Sequence, residues 1–429
     1  MTSWSVTDLE RRLCRVLDLA ARVIEHFGET GYSDSATTVN DFGPEKVVAE
    51  VAMLLHTADG LRDRPQIGRR VDALAHQLAP YARSRRALVD MALHPGHAFK
   101  LAVPHVLLTG LGLVDHEFDV IARERCLAAA TLASDLPPSA TAERRWTMSL
   151  WSADATVPAP PDAADATFLH LPFDLIGGSR EDAYALTHLL FYITDFGHRP
   201  LVQTPRPQSV ILAEIEALVV RYLDAEDYDL CGELLMAWPL MGAPWTTTSA
   251  FAFRVLARIE DQVGVLPCGN ADIVRLGQLT GDDRALYALA ASYHTAFVMG
   301  FLCAVALRAG PISTRFDSEV FDGTVVTALA AHVDDTQGHW QEVFAECDDV
   351  ERRMLVPALI DLALVQSLRK TDYKSVRTVL VLAMEAGLAE MPLWEQAAGL
   401  LAAVARSAEV CARIDQVEPP VTSRFTPVM

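Results

Sequence analysis

The segment Asp182-Ala-Tyr-Ala-Leu-Thr-His-Leu-Leu-Phe-Tyr-Ile-Thr-Asp195 carries no charged side chain between its two terminal aspartates. A helix on the surface of a globular protein normally has charged residues along its solvent-facing side. We therefore predict that this segment forms a helix buried on most of its faces. A second segment, ALYALAASYHTAFVMGFLCAVAL, covers residues 285–307 and also lacks a formal charge. Two such segments indicate a core in which helices enclose other helices.

Most of the remaining chain shows the apolar spacing of amphipathic helices, and no region alternates apolar and polar residues as successive β-strands do. We therefore predict an all-α fold. The segments Ala225-Glu-Asp-Tyr228 and Thr371-Asp-Tyr373 each open a helix that follows a long helix, so both indicate a helical hairpin. The architecture is either an α/α toroid or a helical-hairpin array. The uncharged helices favour the toroid, because an array rarely encloses a helix on all sides.

Two helical regions are separated by residues 153–167, where proline, alanine and aspartate dominate. This pattern predicts an N-terminal helical subdomain at 1–152, a linker at 153–167 and a C-terminal helical domain at 168–415 that carries the candidate site. Three prolines within residues 416–429 predict an extended or disordered tail.

The charge balance limits the partners that the protein can bind. The chain has 36 Lys and Arg residues against 56 Asp and Glu residues, a formal net charge of −20. Nucleic acids and anionic lipid surfaces are bound by basic faces, so we expect neither as a partner. The seven cysteines are widely spaced and form no C-x-x-C pair, which indicates free thiols in a reducing compartment. Because no signal-peptide pattern is apparent, we expect a cytoplasmic protein.

Residues 285–307 are long enough to cross a bilayer. Polar residues Ser292, Tyr293, His294 and Thr295 lie at the centre of this segment, however, and no basic flank accompanies it. We therefore expect a central core helix and no membrane association.

One face of the first uncharged helix gathers groups that handle protons. At about 100° per residue, Tyr184, His188, Phe191, Tyr192 and Asp195 fall within roughly 100° of arc. Histidine is the common acid/base near neutral pH, and tyrosine hydroxyls can donate to a developing oxyanion. We therefore predict catalytic roles for all of these except Phe191, which would contact substrate. The alternative is that each polar group only satisfies a partner in the core.

The second uncharged helix carries Tyr287 and His294 seven residues apart. We expect His188 and His294 to face one internal cavity, with His294 as a second acid/base. Tyr287, Trp238 and Trp245 are predicted to contact the substrate, although such aromatic residues serve more often in packing between helices.

Metal binding receives little support from the sequence pattern. His94 and His97 are close, but Pro95 and Gly96 break the helix that would align them, and no H-E-x-x-H motif is present. A site formed by His188, His294 and Asp195 is awkward because His188 and Asp195 are about 10 Å apart along a helix. We predict no metal and no other cofactor.

Through three motifs, the chain resembles an uncharacterised all-helical family of high-GC bacteria. The motifs are Asp182-Ala-Tyr-Ala-Leu-Thr-His188-x6-Asp195-Phe-Gly, Glu260-Asp261-x-Val-Gly-x-Leu-Pro267 and Ser292-Tyr-His294. The resemblance covers about residues 170–300. Members of that family tend to lie among natural-product biosynthesis genes, so the resemblance implies a role in secondary metabolism and no particular reaction.

The sequence therefore favours a cofactor-independent enzyme that cyclises, isomerises or eliminates a largely apolar small molecule within a helical cavity. The alternative is a non-catalytic helical-repeat scaffold that binds a protein or peptide. An enclosed pocket lined by polar groups would favour the enzyme, and an open groove would favour the scaffold. The substrate and the oligomeric state are not determined by these patterns.

Overall fold

The computed structural model describes residues 5–26, 44–131, 137–151, 167–199, 201, 203–268, 273–310, 321–333, 338–388 and 391–415. Helices and their connecting turns make up these ranges, in which no β-strand occurs. The prediction of an all-α fold is confirmed. The predicted linker, apart from Thr167, and the predicted tail at 416–429 lie outside the described residues.

Seven helices precede the predicted linker: α1 Val6–Glu25, α2 Pro44–Asp59, α3 Pro65–Ala82, α4 Arg85–Leu93, α5 Ala98–Gly110, α6 His116–Ala130 and α7 Pro138–Trp151, with a short 3-10 turn at Pro95–His97. The next seven are α8 Arg180–Ile193, α9 Gln208–Asp224, α10 Tyr228–Leu235, α11 Ala237–Leu240, α12 Thr247–Val263, α13 Ile273–Gln278 and α14 Gly281–Ala309. The remaining described helices are α15 Gly323–Ala330, α16 His339–Ala345, α17 Asp349–Met354, α18 Val356–Arg369, α19 Tyr373–Glu385 and α20 Pro392–Asp415.

Helix α14 is the central helix of the fold and packs against α1, α2, α10 and α11. Within the described residues it is the helix whose length and composition would suffice to cross a membrane, and 78% of its most apolar 18-residue window is buried. A core helix of a soluble protein passes the same test. The neighbouring helices enclose this segment as expected for residues 285–307.

Two glycines let the neighbouring helices approach α14 closely. A Cβ atom on Gly232 of α10 would lie 2.7 Å from Val298 Cγ1 of α14. A Cβ atom on Gly300 of α14 would lie 2.7 Å from Val16 Cγ1 of α1 and 3.0 Å from Leu54 Cδ1 of α2. Since real Cβ contacts are longer than this, glycine at both positions sets how near α10, α1 and α2 lie to the central helix.

One hydrophobic core runs through both regions that the linker was predicted to separate. It contains Leu13 of α1, Leu54 of α2, Leu189 of α8, Phe297 of α14 and Ile360 of α18. A smaller cluster joins α4, α5 and α6. Helices α1–α3 thus share their core with the C-terminal helices, while the division of the chain into domains stays a prediction.

The two related segments noted in the sequence occupy equivalent turns. Glu226 and Thr371 both adopt left-handed backbone conformations, with φ of 54° and 53°. Each is followed by an aspartate, Asp227 or Asp372, that caps the next helix. Helix α9 pairs with α10, and α18 pairs with α19. The described residues therefore combine helical hairpins with an enclosed central helix.

Asp361 is a buried carboxyl group within α18. It is 1% exposed, and its Oδ1 accepts a hydrogen bond from Trp394 Nε1 at 2.8 Å. Burial raises the pKa of Asp361 to about 8, and the nearby charge of Glu216 adds to this effect. The folded protein therefore holds a proton that the unfolded chain releases near pH 4.

We predict that Asp361→Asn removes a pH dependence from stability. The raised pKa contributes stability at low pH that is lost as pH rises from about 4 to about 8. Over this range the free energy of unfolding falls by at most about 1.4 kcal/mol per pH unit. Asparagine keeps an acceptor for Trp394 and does not ionise. Denaturant unfolding at pH 5 and pH 8 should show that the free energy of unfolding of the variant, relative to that of the wild type, increases as pH rises. An equal change in unfolding free energy for both proteins between the two pH values would contradict the raised pKa of Asp361.

Candidate functional site

A cavity of about 900 Å³ lies beside α14, between the second helix and the start of the C-terminal region. We call it the central cavity. Its lining residues include Lys46 of α2, Glu143 of α7, Arg180, Tyr184, His188 and Tyr192 of α8, Tyr222 of α9, Asp229 of α10, and Ala291 and His294 of α14. The side chains of His188 and His294 are 22% and 19% exposed. Solvent therefore reaches both imidazoles.

The two histidines singled out in the sequence line this same cavity, as predicted. His188 lies on α8 and His294 lies on α14. Both helices pack against α10 and α11, which hold them on two sides of the cavity. The shared position follows from these contacts.

The orientation of His188 is set by its own helix. Its Nδ1 lies 3.0 Å from the Tyr184 carbonyl oxygen. Because a carbonyl can only accept, Nδ1 carries the hydrogen and the lone pair of a neutral ring lies on Nε2. Burial lowers the pKa of His188 to about 4, so the ring is neutral near pH 7. The Tyr184 ring lies 3.9 Å from the imidazole, centroid to centroid.

His294 lies between two carboxylates from different helices. Its Nδ1 is 3.0 Å from Glu50 Oε2 of α2, and its Nε2 is 3.3 Å from Asp229 Oδ1 of α10. Burial alone would lower the pKa of His294, but the two negative charges raise it well above its usual value. Burial likewise opposes ionisation of Glu50 and Asp229, and the positive charge of His294 nevertheless holds the pKa of both carboxyls low.

Glu233 lies one helical turn after Asp229 and is 4% exposed. Its Oε2 accepts a hydrogen bond from Thr187 Oγ1 at 2.6 Å and lies 3.7 Å from His188 Nδ1. Burial and the adjacent charge of Asp229 raise the pKa of Glu233 to about 8. Glu233 therefore lies between His188 and Asp229, the carboxylate that contacts His294.

The sequence interpretation missed Glu50, Asp229 and Glu233. The last two are four residues apart in Asp229-Leu-Cys-Gly-Glu233, so they share one face of a helix whose other residues are mostly apolar. That spacing was the available signal, but the segment was interpreted only as a hairpin helix. Glu50 gave no comparable signal, because its partner lies 244 residues further along the chain.

Asp195 lies away from the central cavity, in a separate polar cluster. Helix α8 ends at Ile193, and Asp195 adopts a left-handed conformation with φ of 51°. Its Oδ1 accepts hydrogen bonds from His56 Nε2 at 2.8 Å and Trp146 Nε1 at 2.7 Å. Burial opposes ionisation, but the contacts with His56 and Trp146 lower the pKa of Asp195. Helical spacing misplaced this residue because the helix ends before reaching it.

The four aromatic residues predicted to contact substrate are buried packing residues that do not line the central cavity. Phe191 stacks on Phe196 beyond the end of α8, with centroids 5.5 Å apart. Trp238 and Trp245 stack on each other at 6.2 Å with an interplanar angle of 19°. Tyr287 lies beneath the Arg275 guanidinium at 5.3 Å. Among the predicted tyrosines, Tyr184 and Tyr192 do line the cavity.

We predict that Asp195→Ala reduces stability by about 3–5 kcal/mol, because it leaves the partly buried His56 donor and the buried Trp146 donor without their acceptor. Asp195→Asn is the matched control, since asparagine keeps an acceptor and tolerates the left-handed conformation. Its loss should be smaller. The two values come from denaturant unfolding at neutral pH. Equal stability of the alanine variant and the wild type would contradict a structural role for Asp195.

Comparison with known proteins assigns the chain to a family whose function is unknown. No curated protein and no solved structure matches the chain. Residues 14–304 match the family model described as Domain of unknown function (DUF6895). That range is about two thirds of the chain and contains Glu50, His188, Asp229, Glu233 and His294. The protein therefore belongs to the DUF6895 family.

Proposed function

We propose that the protein is a small-molecule enzyme whose acid/base chemistry takes place in the central cavity. One observation carries the proposal: the Nδ1 hydrogen of His188 is engaged by the Tyr184 carbonyl, which leaves Nε2 as the basic atom of a ring that lines the cavity. A positioned imidazole base contributes a large part of the rate in many enzymes.

The size and lining of the cavity support a small molecule as the occupant. A volume of about 900 Å³ lies within the range of ligand pockets, roughly 300–1,000 Å³. Tyr184, Ala185 and Ala291 supply apolar contact, whereas Lys46 and Arg180 supply positive charge that is offset by their ion pairs with Glu50, Asp227 and Asp229. The proposed substrate therefore combines an apolar part with a polar group.

The proposed chemistry is a proton transfer within one bound molecule. His188 Nε2 removes a proton from the substrate, and the hydrogen bond from Nδ1 to the Tyr184 carbonyl oxygen stabilises the imidazolium that forms. Return of that proton to another substrate atom gives an isomerisation or a cyclisation, and loss of a leaving group gives an elimination. The hydroxyl of Tyr184, whose pKa is raised by burial and by the charge of Glu233, stays protonated as a donor.

His294 has a different proposed role from the second acid/base that the sequence predicted. Both of its ring nitrogens face carboxylates, at 3.0 Å and 3.3 Å, so neither is free to exchange a proton with a substrate. The imidazolium instead holds the ionised carboxylates of Glu50 and Asp229 in place on the α14 side of the cavity.

The buried charged groups favour an enzyme over the alternative of a peptide-binding scaffold, because a concave binding surface does not require several desolvated carboxyls. The resemblance to a family found among natural-product genes supports a role in bacterial secondary metabolism. Widely spaced cysteines support a cytoplasmic location.

We predict that His188→Ala abolishes conversion while the fold persists. Loss of a positioned base lowers turnover by about 10²–10⁴-fold. The measurement is product formation, by mass spectrometry, in a strain that lacks its own copy and is complemented with each variant. Purified proteins are compared by thermal unfolding.

His105→Ala is the matched control. His105 is 0% exposed and lies outside the cavity, so its loss tests the removal of a buried imidazole without touching the site. That variant should lose stability and keep its activity wherever it folds. A folded His188→Ala protein with normal product formation would refute the role of His188.

A further inference from the structure

Three side chains beside the central cavity have the donor atoms and spacing of a metal site. Asp229, Glu233 and His294 each offer one ligand atom, and these atoms lie within 4.8 Å of one another. Donor atoms around one transition-metal ion are about 3–4 Å apart, given bonds of about 2.0–2.2 Å. A small closure of the three side chains would therefore bring them onto a common ion.

The backbone already holds these donors together. Asp229 and Glu233 are one turn apart on α10, and His294 lies on α14. A Cβ atom on Gly232, which lies between the two acidic residues in the sequence, would be 2.7 Å from Val298 Cγ1 of α14, so the two helices pack closely at this point. The three groups therefore converge through helix packing, without any loop that must close around an ion.

A second observation points to a missing ligand. Asp229 Oδ1 is a buried atom that lies 3.3 Å from His294 Nε2 but has no hydrogen-bond partner of good geometry. Buried polar atoms of this kind are rare unless a ligand, ion or water completes their contacts. On the other side of the ring, Glu50, which is only 8% exposed, lies 3.0 Å from His294 Nδ1.

We propose that Asp229, Glu233 and His294 bind one divalent transition-metal ion, with Glu50 as a positioning residue that orients the His294 ring. In this arrangement His294 Nε2 binds the ion, and Nδ1–H donates to Glu50 Oε2. Carboxylates in this second position commonly fix the tautomer and orientation of metal-binding histidines. The ion also separates the two α10 carboxylates, which otherwise repel each other.

The donor set indicates the class of metal. Two carboxylates and one imidazole suit Zn²⁺, Mn²⁺ or Fe²⁺, whereas sites for Mg²⁺ or Ca²⁺ use oxygen ligands almost entirely. Three protein ligands leave coordination positions for water or substrate on the cavity side. In the metal-bound protein the ion would supply the positive charge that a proton on His294 supplies without it. The inference thus deepens the proposed function, but binding of the ion does not require that function.

The sequence pattern alone does not identify this site. The spacings are four residues from Asp229 to Glu233 and 61 residues from Glu233 to His294. No short zinc-binding motif has that form. The site becomes visible only when α10 and α14 are packed together.

The test is direct metal binding by the full-length protein. After treatment with chelator, the wild type is titrated with Zn²⁺, and separately with Co²⁺ as a spectroscopic probe. We expect one ion per chain, a Co²⁺ spectrum with nitrogen and oxygen ligation, and a higher melting temperature in the presence of the ion. Absence of saturable binding, or Co²⁺ that stays fully hydrated, would overturn the proposal.

Four variants locate the ion. Glu233→Gln and His294→Gln should each remove the thermal shift and the cobalt spectrum, and Glu50→Gln should weaken binding by about 10–100-fold. Glu226→Gln is the matched control, because Glu226 lines the same cavity but is not one of the three ligands. It should bind like the wild type. Circular dichroism confirms that each protein is folded, and Glu233→Gln remains decisive if the histidine variant is not.

The outcome is separable from that of the proposed function. Metal binding that is intact in His188→Ala, together with normal product formation by that variant, would retain the metal site and reject the base. Product formation that depends on His188 in a protein that binds no metal would do the reverse. Unchanged Zn²⁺ affinity in both Glu233→Gln and His294→Gln would show that the ion binds elsewhere and would refute this site.

Discussion

Burying the imidazole of His294 within an uncharged helix costs free energy, and the groups that offset this cost determine how the helices pack at the centre of the protein. His294 lies in a 23-residue stretch without a formal charge, and α14 is surrounded by α1, α2, α10 and α11. A polar group in such surroundings is unfavourable unless it has partners. Those partners are supplied by Glu50 of α2 and Asp229 of α10. The helices around α14 therefore have to be positioned by charge as well as by apolar contact.

The polar cluster around Asp195 contributes to that positioning. His56, near the end of α2, donates to Asp195, and Trp146 of α7 donates to the same oxygen. Arg308, at the far end of α14, donates to the carbonyl oxygens of Thr57 and Phe196. These contacts tie the end of α2 to the ends of α8 and α14. Because Glu50 lies six residues before His56 on the same helix, the cluster also sets how Glu50 faces the central helix.

The sequence predicted those features that depend on local pattern. The absence of charge along 183–194 and 285–307 indicated buried helices, and the all-α fold followed. The position of His188 and His294 on the cavity could be inferred because each is an isolated polar group on such a helix. Asp195 could not be placed, since extrapolating helical spacing past Ile193 ignores the left-handed turn that follows. Trp238 and Trp245 show the same limit, because an aromatic side chain that fills a core has the same spacing as one that contacts a ligand.

Sequence reasoning missed Glu50, Asp229 and Glu233 for a different reason. A carboxylate in an amphipathic helix is usually solvated, and only the three-dimensional packing shows that these are buried. Each of these carboxyls contacts a residue that is distant in the sequence. Glu233 contacts Thr187, 46 residues away, whereas Asp229 and Glu50 both contact His294, which is 244 residues from Glu50. The local pattern of a single chain carries no signal that pairs such distant positions.

The central cavity draws its walls from both sides of the proline-rich stretch that follows Trp151. Lys46 and Glu143 precede that stretch, whereas His188, Asp229 and His294 follow it. A polypeptide cut there would give two pieces, each bearing one wall and one exposed apolar surface, since α1 and α2 pack directly on α14. Neither piece alone could enclose a ligand. Their reassembly would create the binding site and the shared core in a single event, so ligand capture by the two-piece protein would report association of its halves.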